Sequence, residues 1–211
     1  MKLLTIGDSF TYGLELEDPG RHAWPVLLSE KLNAELVNIS VGGASNNMMF
    51  RECVEQLCEN QFDIVIISWT DPSRIEISRH DRPFSVNYSS RMLDLVPWIE
   101  DYYRYNHNDE LSYRHTLTMM LALQSFLEQL NQRYLFASAF GIQDLNQQFL
   151  TKYKKICSQI NITNYLGWPN NGMVEWMGNC PKGPGGHPLE LGHQRIAGRI
   201  NEHIRNLGWI S

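Results

Sequence analysis

Phe62-Asp63-Ile64-Val65-Ile66-Ile67-Ser68 is the stretch on which the fold is decided. Its centre is an unbroken run of β-branched apolar residues, Ile64 to Ile67. A strand that is apolar on both faces of its pleat is covered by other layers on either side, which is the pattern of a parallel sheet. Working outward, residues 3–6 and 35–39 form shorter apolar runs of the same kind, and residues 134–139 form another. Between them lie segments with helical spacing, at 23–32, 46–58, 110–133, 144–160 and 189–207. Strands alternating with helices predict an α/β fold with a parallel sheet between helical layers.

The 211 residues fit one domain, 1–211, and no repeat, linker or low-complexity tract divides them. Residues 72–108 depart from the alternation. They are too long for an ordinary connection and carry Trp98, Tyr102, Tyr103 and Tyr105. They read as an insertion, either a lid or substrate-binding element or a surface excursion with a small helix of its own.

Apolar residues make up 43% of the chain and charged residues 19%, at a net charge of −5. That composition is globular and lacks the basic footprint of a nucleic-acid binder. No apolar stretch is long enough for a membrane span, and Met1 to Ile6 is too short for a signal-peptide core, so a cytoplasmic protein with reduced thiols is expected. The four cysteines match no zinc spacing, and Cys53 and Cys58 read as core or half-buried thiols. His22, His80, His107, His115 and His203 have no metal-ligand spacing; neither a metal nor a cofactor is implied. Arg74, Arg79 and Arg82 read either as a clamp for an anionic substrate group or as solvated loop charges.

Two places can carry chemistry. Ser9, in Gly7-Asp8-Ser9, falls just after the first strand, where open α/β sheets place ligands. A serine needs a base to become a nucleophile. His187, in Gly185-Gly186-His187-Pro188, sits in a Gly/Pro-rich loop leading into the last helix and is of the right type. Each alone also reads blandly, as a helix cap and as a surface loop.

Taken together, Gly7-Asp8-Ser9 and His187-Pro188 with Gly192-His193 resemble the first and last blocks of the SGNH/GDSL hydrolases. The resemblance spans most of the chain. It implies a flavodoxin-like three-layer α/β/α sandwich and hydrolysis of esters, often acyl or acetyl esters of lipids and sugars; the polar, aromatic insertion favours a small O-acyl ester, in particular O-acetyl on a carbohydrate, over a long lipid chain. It makes Ser9 the nucleophile, His187 the base and His193 a structural residue. Asn38 to Gly43 resembles the second block and makes the Gly43 N–H, or that of Gly42 one residue earlier, an oxyanion donor beside the Ser9 N–H.

The third block departs, with Thr70 where the family has its oxyanion Asn. Thr70 itself, Asn46 or Asn47 are the replacements the sequence offers. A second departure is Pro184, which stands where the family carries the Asp that orients the histidine. A main-chain carbonyl within 182–186, Glu175, Asp71 or Glu190 is left for that task, Asp8 for support of the nucleophile turn. The readings are a serine esterase acting on a small-molecule or carbohydrate ester, a catalytically weakened relative that binds a glycan or a protein partner, and an acyl transferase. The sequence sets no oligomeric state.

Overall fold

The computed structural model describes residues 1–79, 82–87, 95–140 and 147–210. In chain order it has β1 (Lys2–Ile6), α1 (Ser9–Tyr12), α2 (Pro19–His22), α3 (Trp24–Leu32), β2 (Glu35–Asn38), α4 (Asn46–Glu59) and β3 (Ile64–Trp69). An antiparallel hairpin follows, β4 (Ile75–Arg79) and β5 (Arg82–Val86), then a short helical stretch, α5 (Ile99–Asp101), continued by a π turn over Tyr102–Asn106. The chain goes on through α6 (Asp109–Gln129), β6 (Tyr134–Ser138), α7 (Gln147–Lys152), α8 (Lys154–Cys157), α9 (Met173–Met177) and α10 (Glu190–Asn206).

The main sheet is parallel, in the order β2-β1-β3-β6. A single parallel bridge, Phe136 to Tyr165, extends it beyond β6. Side chains alternate across each strand and sort into two cores. Leu4, Ile6, Val65, Ile67, Tyr134 and Phe136 face one layer, built on α4 and α6 through Met49, Cys53, Leu117, Met120, Leu123 and Leu127. Leu3, Ile64, Ile66, Leu135 and Ala137 face the other, built on α3 and α10 through Trp24, Leu28, Ile196, Ala197, Ile200 and Ile204. The result is the three-layer α/β/α sandwich expected from the run at 62–68.

Strand order reverses at β1, whose neighbours β2 and β3 lie on opposite sides. That switch point opens a crevice at the carboxyl ends of β1 and β3, the usual ligand site of such sheets.

Three expectations need correction. The helix expected over 144–160 is two pieces, α7 and α8, broken at Tyr153; residues 144–146 lie outside the described part. Tyr153 leaves helical geometry with its ring against Phe149 and its hydroxyl on the Glu110 carboxylate of α6. Residues 72–108 hold the β4–β5 hairpin, which alternation too short and too polar had hidden. Val86, Val96 and Ile99 give this segment a small core, packed by Tyr102 and Tyr103. It is tied to α4 by Arg51 Nη2 on Glu76 (2.8 Å) and by the Ser45 N–H donating to Ser85 Oγ (3.0 Å). Finally, Cys53 is buried, with burial pushing its thiol up to about 12, but Cys58 is exposed.

Candidate active site

β1 ends at Ile6, and the chain must turn at once into α1. Gly7 permits this: a Cβ there would lie 2.1 Å from Thr11 Oγ1. Asp8 caps the helix, its Oδ1 accepting from the Phe10 N–H at 3.0 Å. Ser9 is thereby fixed as the first residue of α1, on the floor of a cavity of about 700 Å³.

His187, Gly42 and Gly43 line that same cavity, so the structure brings together the two ends of the chain and the turn after β2. Gly43 has φ +81, a left-handed conformation that suits glycine. Among the described residues, neither the Ser9 N–H nor the Gly43 N–H makes a hydrogen bond, and Ser9 Oγ makes none either.

The other expected donors are committed elsewhere. Thr70 Oγ1 donates to Asp8 Oδ2 at 2.6 Å, and the Thr70 N–H donates to Asn46 Oδ1 at 2.9 Å. Asn46 Nδ2 donates to the Thr70 carbonyl at 3.0 Å and to Thr116 Oγ1 at 3.2 Å. Both residues are buried and bolt α4, β3 and α6 together; neither lines the cavity. Asn47 is exposed on α4. Asp8 is wholly buried, and its Oδ2 also accepts from Arg74 Nη1 at 3.2 Å. Arg74 thus carries an internal ion pair rather than acting as a free clamp; the Arg79 and Arg82 side chains and His80 lie outside the described residues.

None of the carboxylates offered by the sequence meets His187. Asp71 is exposed and accepts from the Ser73 N–H at 2.8 Å. Glu175 accepts from the Gly172 N–H at 2.6 Å at the start of α9. Glu190 stands in the first turn of α10. The carboxylate at His187 is Glu15, from the turn after α1. Glu15 Oε2 lies 2.8 Å from His187 Nδ1 and accepts from the His187 N–H at 3.1 Å, while Oε1 accepts from the Gly185 N–H at 2.6 Å. These contacts hold the Glu15 carboxyl below its ordinary value, the Gly185 N–H foremost, with partial burial opposing and His187 adding to it. The only sequence signal for Glu15 was an acidic residue two positions after Gly13, in the turn that follows Ser9.

His193 is buried, and its Nδ1 accepts from the Trp24 N–H at 3.1 Å, an orphan donor in the first turn of α3. Burial lowers its pKa to about 4, partly opposed by Glu190. Asn87, just after β5, also lines the cavity; its Oδ1 is buried and has no hydrogen-bond partner among the described residues. Among the described residues no cluster of His, Cys, Asp and Glu is arranged to hold a metal ion, and no helix is long and apolar enough to cross a membrane.

Several solved structures are similar to this one. The chain matches TesA with a TM-score of 0.64 at 14% identity, covering 98% of this chain and 99% of that one. It matches a G-D-S-L family protein from Desulfitobacterium hafniense DCB-2 with a TM-score of 0.55 at 13% identity, covering 96% and 98%. A family two carbohydrate esterase from Clostridium thermocellum, in complex with cellohexaose, matches with a TM-score of 0.56 at 16% identity, covering 99% of this chain and 65% of that one. The fold is that of the SGNH hydrolases. No curated protein sequence matches the chain. By sequence the chain belongs to DUF6071, a family of unknown function whose model matches residues 11–211 and so begins just after Ser9.

Proposed function

We propose that the chain is a serine ester hydrolase acting on small O-acyl esters, in particular O-acetyl groups on a carbohydrate, as one domain in a cytoplasmic setting. The observation that carries this reading is that Ser9 and His187 line one cavity at the switch point of the sheet, beside the unengaged N–H groups of Ser9 and Gly43. His187 Nε2 takes the Ser9 hydroxyl proton as Oγ bonds to the acyl carbon. The carbonyl oxygen becomes an oxyanion held by the Ser9 and Gly43 N–H groups. The intermediate collapses, the alcohol leaves with the proton from His187, and water, deprotonated by the same ring, releases the acid. A carbohydrate as the alcohol half is supported by a structural neighbour that is a carbohydrate esterase; the cavity offers Asn87 and Lys182 to its hydroxyls beside an apolar wall of Phe10, Leu14, Phe140, Val174 and Met177.

Hydrolysis of p-nitrophenyl acetate by the wild type, with loss of at least about 100-fold in Ser9→Ala and in His187→Ala, is the expected result. Equal rates in all three would sink the assignment. The commitment of Thr70 and Asn46 to internal bonds favours one competing reading, a weakened relative that binds a glycan or a protein partner. A fluorophosphonate probe separates the two, since it labels an activated Ser9 and leaves an inert one unmodified.

A further inference from the structure

We propose that Glu15 is the positioning residue for His187, a carboxylate brought from the turn after the nucleophile helix to do what Pro184 leaves undone in the histidine's own loop. This rests on the esterase reading for its catalytic meaning, but the pairing itself can be tested without turnover.

Three observations converge. An ionised carboxylate only accepts hydrogen bonds, so the 2.8 Å contact of Glu15 Oε2 with His187 Nδ1 places a proton on Nδ1. That leaves Nε2 with its lone pair, the tautomer a base needs to take a proton from Ser9. Next, the backbone is shaped for this contact. Glu15 is held at φ +72, a conformation that L side chains seldom adopt and that persists where the surroundings impose it. Finally, the opposite loop is pared to let the carboxylate in: a Cβ on Gly183 would lie 2.6 Å from Glu15 Oε2, and one on Gly185 would lie 3.0 Å from Oε1. The same carboxylate grips the loop by the Gly185 and His187 N–H groups, so it fixes both the place and the tautomer of the ring.

The other charged and titratable groups around the ring do different work. Arg74, across the cavity, is paired with Asp8. Lys182 lines the cavity from the same loop. His193 and Glu190 belong to α10, and His193 is tied to Trp24. Glu15 is therefore the carboxylate that meets His187 among the described residues.

The test is Glu15→Gln, read in two ways. Imidazole nitrogen NMR of the wild type should show the neutral His187 ring protonated on Nδ1. In Glu15→Gln, whose amide can donate as well as accept, the proton should no longer be held on Nδ1 and both neutral tautomers should be seen. kcat should drop about 100-fold or more while KM changes little. A structural role alone, pinning the loop, would lower activity and leave the tautomer where it was; that result overturns the proposal. A wild-type ring protonated on Nε2 overturns it as well, even if the variant does not fold. If no ester is turned over and Ser9 is not labelled, the esterase reading falls, and the NMR result alone decides whether Glu15 orients the ring.

Discussion

Asp8, itself fully buried, spends one oxygen on the Phe10 N–H and the other on Thr70 and Arg74. An aspartate in a nucleophile turn reads from sequence as an accessory to the serine. Here it is the joint between β1, the end of β3 and the base of the hairpin segment. Replacing it with Ala leaves the Arg74 charge, itself only 11% exposed, without its partner. Such a change should lower stability by about 3–5 kcal/mol, measured by urea denaturation, and the loss should exceed that of a surface Asp18→Ala change several-fold. That Ser9 and His187 line one cavity was legible in the sequence because each sits in a local pattern. Glu15 was not, because what makes it matter is a contact with a residue 172 positions away and a φ of +72, neither of which leaves a composition signal. Thr70 and Asn46 were misread for a related reason: an expected donor can be spent inside the protein, and only the structure shows where. Glu15 also predicts an acid dependence. Its folded pKa lies below the ordinary 4.5, so the stability it contributes is fully present above about pH 4.5 and fades as pH falls through its lowered value. Denaturation midpoints across that window should show a component that Glu15→Gln removes.

Among the elements, the strands and long helices follow from hydrophobic period, and their ends from capping residues. Ser45 and Asn108 start α4 and α6 where their side chains accept from Met48 and Leu111 N–H groups. The β4–β5 hairpin escaped notice because Ile75-Glu76-Ile77 and Phe84-Ser85-Val86 are too brief for alternation to stand out. One joint between elements has a measurable pH signature. His193 of α10 caps α3 only while Nδ1 is unprotonated. Its folded pKa is about 4 against an ordinary 6.5. As pH falls below 6.5 the unfolded chain takes up a proton that the folded one refuses, so stability present above pH 6.5 is lost on the way to pH 4. The loss is about 3 kcal/mol if the whole shift is expressed. Stability measured between these limits should slope downward with acid, and the slope should flatten in His193→Gln.

For the molecule as a whole, the apolar run that decided the fold also holds its layers together. Ile64 and Ile66 are fully buried against the α3–α10 layer, and Val65 and Ile67 against the α4–α6 layer. Ile66→Ala should destabilise the protein by about 2–5 kcal/mol in denaturant titrations. The loss should slacken the crevice as well, since Thr70 follows this strand directly. The layers and the strand order were within reach of the sequence; the seat of the site at the switch point followed from them once β1 proved to be flanked by β2 and β3.

The contact between Glu15 and His187 also bears on how the protein is made. A ribosome delivers His187 172 residues after Glu15, roughly 10–35 s later at ordinary rates of synthesis. Throughout that interval Ser9 has neither His187 beside it nor the loop that walls the cavity. A nascent chain can lay down the parallel sheet strand by strand while the cavity stays open on the side that residues 182–187 close.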